Sequence, residues 1–248
     1  MAFDKSIVPQ YANLELSPVQ EAEVRFFKKW GYLVVEEAID AAQVERLRGA
    51  LDASYDRRQE TFIHQLLEED EDFVFLLDNP PVLDRMKAIL GTCVQLHSAT
   101  ARVTESGEED QAWHRDGPWP MDPEGTPYGS LPGQINCGYY LDELTDENGP
   151  IVIVPGSQRA PFKPPEGSPR FPDEKRIYAK PGQAIMFDGW LYHRGAENRS
   201  AHRRRACMMC YQNAWMKSRE PFDGPRVSAL KESGTADQKL LLGGVPRW

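Results

Sequence analysis

From residue 92 onward the apolar residues fall in short runs separated by turn sequences, and this alternation restricts the fold more than any other feature of the chain. The runs at 92–97, 99–104, 133–142, 151–154, 176–179, 184–187, 190–193 and 203–212 are the expected strands. Between them stand Asp146-Glu147-Asn148-Gly149-Pro150, Pro155-Gly156, Pro181-Gly182 and Asp188-Gly189, all suited to reversing a chain. Strands this short and this regularly punctuated imply a sandwich or barrel. The stretch 161–172 contains five prolines and reads as an irregular loop.

The first ninety residues carry a different period. Ser17, Pro18 and Gln20 form a helix start with a capping box. Val19, Ala22, Phe26, Phe27 and Trp30 then share one helical face, and Gly31 ends the helix. Tyr32–Val35 reads as a short strand. Asp40 with Gln43 opens a second helix, whose apolar face is Val44, Leu47, Leu51 and Tyr55. A third is expected from Pro80 to Leu90, with Val82, Leu83, Met86 and Ile89 inward and Gly91 as its stop. No repeat of fixed period occurs, and no Gly/Ser linker separates helical and β parts. The expectation is one domain over residues 1–248, mainly β with N-terminal helices. It divides into a helical part at about 17–91, a β-core at about 92–213 and a C-terminal tail at 214–248.

Composition narrows the partners. With 38 Asp and Glu against 29 Lys and Arg the formal charge is −9, which argues against a nucleic-acid partner. No apolar run approaches the roughly 18 residues that span a bilayer, and the opening residues lack a charged-then-apolar leader pattern. A soluble, cytoplasmic protein without a membrane partner is expected. The acidic run Glu68–Asp72 reads as a solvated loop or helix end. The four cysteines are too scattered for a disulfide framework. Cys207 and Cys210 have C-x-x-C spacing but no second pair. They read as small buried residues on opposite faces of one strand.

Chemistry concentrates around two of the five histidines. In Trp113-His114-Arg115-Asp116, an extended backbone would project the imidazole and the carboxylate to the same side. His193 follows 77 residues after Asp116, at the end of the apolar run Trp190–His193. Two imidazoles and one carboxylate make the facial triad that holds Fe(II) with positions left open. Alone, His-x-Asp is a common tripeptide, and a histidine in a strand can equally be a core residue. Arg204 adds weight: eleven residues past His193, it opens the next strand, where a buried guanidinium could clamp a carboxylate bidentately.

His114-x-Asp116, His193 and Arg204 resemble the metal triad and co-substrate arginine of the phytanoyl-CoA dioxygenase family, non-haem iron oxygenases that use 2-oxoglutarate. The resemblance runs through most of the chain. Phe26–Val35 is similar to the family's opening of helix, glycine-aromatic pair and apolar strand. Leu141–Pro150, followed by Ile151–Ser157, resembles its "LDD…ENG…PGSH" signature, with Gln158 where histidine is common. His193–Asn198 resembles "HGSGxN", and Arg204-Arg205-Ala206 the closing "RRA". Two positions depart from the pattern. Gly195 stands where a small hydroxyl residue often helps bind the co-substrate, and Gly138 where some members carry tryptophan. Asn136, on the strand face of Gly138, is the candidate replacement as a polar contact to the co-substrate.

The resemblance implies a double-stranded β-helix (a jelly-roll, cupin-like core) flanked by helices. It implies Fe(II), 2-oxoglutarate and O2, with His114, Asp116 and His193 on the metal and Arg204 on the distal carboxylate of 2-oxoglutarate. The implied reaction oxidises, most simply hydroxylates, a C–H bond of a small molecule, with release of succinate and CO2. Halogenating relatives carry Ala or Gly in place of Asp116, so hydroxylation or a related oxidation is expected. A compact tailoring enzyme of natural-product biosynthesis fits this description. The alternatives are a cupin-type metal protein with non-redox chemistry and a non-catalytic binding protein on the same fold. Trp113, Trp119, Tyr139, Trp190 and Tyr192 are candidates to line the pocket, and the segment from Gly117 to Gly133 to cover it. His97 could face the site or sit in the core; His64 and His202 read as surface residues.

Overall fold

The computed structural model describes residues 16–116, 132–160 and 170–244. The N-terminal helix α1 (Pro18–Trp30) begins at the expected capping box. Ser17 accepts from the Gln20 N–H, and the Gln20 side chain accepts from the Ser17 N–H. The helix ends at Gly31, whose φ of 79° lies in the left-handed region. A side chain there would also collide with Gln158 and Leu191. Strand β1 (Tyr32–Val35) follows, then α2 (Ala41–Arg58) behind the Asp40/Gln43 capping box. A cap contributes about 1 kcal/mol, whereas fully buried leucines such as Leu47 and Leu51 contribute about 1.5–3 kcal/mol each. Packing, more than end chemistry, therefore holds α2 in place. Strand β2 (Phe62–Ile63), helix α3 (Leu66–Glu69), a 3-10 turn at Glu71–Leu76 and helix α4 (Pro80–Leu90) complete the first part.

The core strands are β3 (Val94–Thr104), β4 (Gln134–Tyr140), β5 (Ile151–Ile153), β6 (Lys175–Ile177), β7 (Ala184–Asp188), β8 (His193–Gly195) and β9 (Arg204–Asn213). The two strands expected at 92–97 and 99–104 are one strand. Its register against β9 slips between Leu96 and Ser98, so His97 sits in a bulge. The run at 190–193 is mostly turn, and the strand starts at His193. Antiparallel pairing gives a six-stranded sheet in the order β1-β7-β4-β9-β3-β2 and a three-stranded sheet in the order β6-β5-β8.

The large sheet is covered on both faces, which is why every residue of β4 is buried. Alternation along β9 shows how. Cys207, Met209 and Tyr211 point into a core shared with α1, α2 and α4. Ala206 and Met208 point the other way, toward the small sheet, where Ile151, Ile153 and Phe187 form a second core. The result is the jelly roll with flanking helices that the sequence led one to expect. Cys207 and Cys210 lie on opposite faces, and all four cysteines are free.

Two expectations need correction. The C-terminal stretch, expected as a tail, forms α5 (Pro225–Ser233) and α6 (Ala236–Leu241), and Phe222, Val227, Leu241 and Leu242 are buried in the helical core. The acidic run is not simply solvated. Glu69 pairs with Arg57 and Arg58, and Glu68 accepts from the backbone N–H groups of Arg226 and Val227. Residues 117–131 of the expected covering segment, Trp119 among them, and 161–169 of the proline-rich loop lie outside the described residues. No helix of the described residues is long and apolar enough to cross a membrane.

Candidate metal centre

The segment before Gly117 runs alongside β8. Gln111 donates its N–H to Gly195 O at 2.9 Å, and the Asp116 N–H reaches Gly189 O at 2.7 Å. Between them His114 and His193 form a reciprocal backbone pair, with N–H to O distances of 3.1 and 3.2 Å. Because the segment is extended here, His114 and Asp116 face the same side, as the His-x-Asp spacing suggested. His193 Nε2 lies 3.3 Å from Asp116 Oδ2, and His114 Nε2 lies 3.7 Å from Asp116 Oδ1. One ligand atom from each of the three residues lies within 4.8 Å of the others. No other group of three His, Cys, Asp or Glu side chains among the described residues does this.

Each imidazole is oriented by a backbone carbonyl. His114 Nδ1 is 2.8 Å from Ala112 O, and His193 Nδ1 is 2.9 Å from Leu191 O. A carbonyl can only accept, so Nδ1 carries the hydrogen and the Nε2 lone pair of a neutral ring turns toward Asp116. Burial pushes the pKa of His114 down, with the neighbouring His193 adding to the effect. Burial would do the same to His193, but the Asp116 carboxylate outweighs it and raises that pKa. Burial opposes ionisation of Asp116, yet the two imidazoles hold its carboxyl down at about 2. The site thus presents one carboxylate and two oriented nitrogen donors.

Asn136 makes a contact within the triad itself. Its Nδ2 donates to Asp116 Oδ2 at 2.8 Å, so it steadies a member of the triad. Both line a cavity of about 160 Å³ that also contains the His114 and His193 rings and Arg204. Arg204 is buried, donates from Nη2 to Gly149 O at 3.0 Å, and stacks 5.5 Å from the Tyr140 ring centre. Among the described residues its Nε has no partner, and no carboxylate lies within 4 Å of the guanidinium. A buried cation left without a counter-charge is costly, and an anion entering the cavity would relieve that cost.

The two departures from the family pattern are filled by other side chains. A Cβ at Gly195 would stand 3.1 Å from Gln111 Oε1, which accepts the Gly195 N–H at 2.9 Å. Gln111 therefore occupies the space beside position 195 and lines the cavity. At Gly138 a Cβ would meet Met208 and Tyr140. Of the aromatic candidates, Trp113, Tyr139 and Tyr192 belong to the cores, and the cavity is lined instead by Phe62, Tyr140 and Phe187. Tyr140 could have been anticipated, since it lies four residues from Asn136 on the same strand face. His97 is held by Gln212, with Nδ1 2.5 Å from Oε1, and His64 and His202 are exposed.

Two nitrogens and one oxygen, with both rings pre-oriented, suit a divalent transition metal that keeps open positions. Arg204 in the same cavity suits a carboxylate. Comparisons with known proteins agree with this chemistry. A family model described as "Phytanoyl-CoA dioxygenase (PhyH)" matches residues 27–206. The chain is 23% identical to an L-proline trans-4-hydroxylase of Streptomyces griseoviridis, over 84% of this chain and 92% of that protein. It is 26% identical to the dioxygenase af480 of Aspergillus fumigatus, over 87% of this chain and 74% of that one. Among solved structures, HygX from Streptomyces hygroscopicus, determined with nickel and 2-oxoglutarate bound, superposes with a TM-score of 0.69 at 15% identity. That match covers 82% of this chain and 89% of HygX.

Proposed function

The chain belongs to the phytanoyl-CoA dioxygenase family, and from that premise we propose that His114, Asp116 and His193 hold its iron(II), with Arg204 gripping 2-oxoglutarate, so that a C–H bond of a small molecule is hydroxylated. The protein is an iron(II)- and 2-oxoglutarate-dependent dioxygenase. Bound iron, with O2, supplies the oxidative decarboxylation of 2-oxoglutarate to succinate and CO2 and the oxidation of the substrate. What the chain itself contributes is binding and orientation. The Ala112 and Leu191 carbonyls fix the tautomer of each ligand histidine, and Asn136 fixes the carboxylate between them.

Arg204 would receive the far carboxylate of 2-oxoglutarate in a bidentate contact, while the Tyr140 ring limits its movement. Phe187, 4.6 Å from the His193 ring, and Met208 give the cavity apolar walls that restrict water near the reacting groups. Asp116 supplies a carboxylate where a halide would otherwise need room, which favours hydroxylation over halogenation. Placement as a tailoring enzyme for small molecules is part of the same reading.

One observation carries this assignment: the converging triad shares its cavity with a buried arginine that no carboxylate of the described residues pairs. The test starts without oxygen, where adding 2-oxoglutarate to the iron-loaded protein should produce a weak visible charge-transfer band. Admitting oxygen should then release succinate. Asp116→Ala should abolish the band and reduce succinate release at least 100-fold. Equal release from the Asp116→Ala protein would remove the triad from the mechanism.

A further inference from the structure

Four arginines line the cavity, and carboxylates of the described residues pair with two of them. Arg102 is paired with Glu108, and Arg194 lies 2.5 Å from Asp110. Arg204 and Arg219 have no carboxylate of the described residues within 4 Å. Arg204 is accounted for by 2-oxoglutarate. Arg219 is not, and its position differs in a telling way.

The cavity floor is the inner face of β4, β9 and β3, and strand register orders its residues. Asn136, Cys210 and Ser98 form one cross-strand row, and Arg204 pairs with Thr104 at the opposite end. Cys210 and Arg204 are six residues apart on β9, roughly 20 Å along an extended strand. Asp116 stands over the first row through its bond to Asn136. Arg219 adjoins that row from the far side. Its backbone N–H donates to His97 O at 3.0 Å, and its Nη2 donates to Ser98 Oγ at 3.0 Å. These two guanidinium groups thus flank the metal centre, Arg204 at the buried end of the floor and Arg219, exposed, at its rim. Along that first row the residue between Ser98 and Asn136 is Cys210, whereas Thr100, Met208 and Phe62 line the cavity in the rows that lead from it toward Arg204.

We propose that Arg219, together with Ser98, binds a carboxylate of the substrate and so sets which C–H bond is presented to the metal centre. This rests on the oxygenase reading given above. The bond to Ser98 uses one of five guanidinium N–H groups and fixes the side chain, leaving others for a planar, two-oxygen acceptor. With 2-oxoglutarate at the Arg204 end, an acid held by Arg219 would lie over the Ser98–Cys210–Asn136 row, beside Asp116. Its anion reaches a cation that is already in place at the rim, so capture and orientation come from the same contact.

The experiment uses the iron-loaded enzyme with saturating 2-oxoglutarate and a set of small amino acids and aliphatic acids. Each acid is paired with its primary amide and, where one exists, the corresponding phosphate ester. Succinate release above the substrate-free background should be confined to the acids. For the best acid, Arg219→Leu should raise KM about 100-fold with kcat changed less than threefold, and Arg219→Lys should recover part of the loss. The affinity for 2-oxoglutarate, read from the anaerobic visible band, should stay within twofold. Three results would overturn the inference: amides or phosphate esters serving as well as acids, no acid raising succinate release, or an unchanged KM in Arg219→Leu. A weakened 2-oxoglutarate affinity in that variant would also overturn it, by giving Arg219 to the co-substrate. The slow substrate-free release of succinate, dependent on iron and lost in Asp116→Ala, reports on the oxygenase reading separately.

Discussion

Asn136 spends its Nδ2 hydrogen bond on Asp116, which ties the plane of that carboxylate to the rigid centre of β4. Removing such a support around a metal ligand typically weakens metal affinity 10–100-fold. Asn136→Ala should therefore raise the dissociation constant for Fe(II) or Co(II) by roughly that factor. A metal titration that gives the wild-type constant would show that the contact is dispensable. Arg204→Leu should raise the 2-oxoglutarate dissociation constant at least tenfold, measured by the same anaerobic band, with Arg204→Lys intermediate because an ammonium lacks the fork geometry. These residues differ in how readable they were. The triad was legible because ligand chemistry needs particular residue types at particular spacings, and strand periodicity then fixes their direction. The partner of Asn136 was not, because hydrogen-bond direction depends on the approach of a segment twenty positions away in sequence. Gln111 and Arg219 gave no signal at all, since each acquires its place through neighbours on β8 and β3.

Helix ends and strand edges were set by local chemistry, and that is where reading and structure agree best. Ser17/Gln20 and Asp40/Gln43 cap their helices as the sequence promised. Local rules failed where an element is completed from a distance. Helix α5 is preceded by Gly224, which has no side chain to cap it, and the N–H groups of Arg226 and Val227 are satisfied by Glu68. A Cβ at Gly224 would stand 2.4 Å from that carboxylate. A charge-assisted cap joining two segments so far apart is worth about 1–3 kcal/mol, so Glu68→Ala should lower the unfolding free energy by that amount in urea titrations. Glu71→Ala, in the same acidic run but without such a contact, should leave it nearly unchanged. The run read as solvated because charge density alone does not reveal which carboxylate meets a helix end.

The molecule also carries a cost that depends on pH. Asp188, at the end of β7, is buried, and desolvation pushes its carboxyl up to about 6, against opposing help from the Trp190 N–H and Arg115. In the unfolded chain the same group ionises near 4, so the folded state binds this proton more tightly. Its contribution therefore favours the fold below about pH 4, declines as pH rises toward 6, and is unfavourable at neutrality. Asp188→Asn should raise stability at pH 7 by about 1–3 kcal/mol, and the gain should vanish near pH 4. Thermal melts across that interval would show it, and a gain independent of pH would exclude desolvation of this carboxyl as the cause.

The reciprocal backbone bonds between His114 and His193 mean that the distance between the two rings is maintained by peptide groups, whatever ion lies between them. Stripping with a chelator should then leave a folded apoprotein that melts within a few degrees of the loaded form. Adding ferrous salt back should restore activity without any refolding step. Such a protein can pass through periods of iron scarcity intact, ready to resume work once the ion returns.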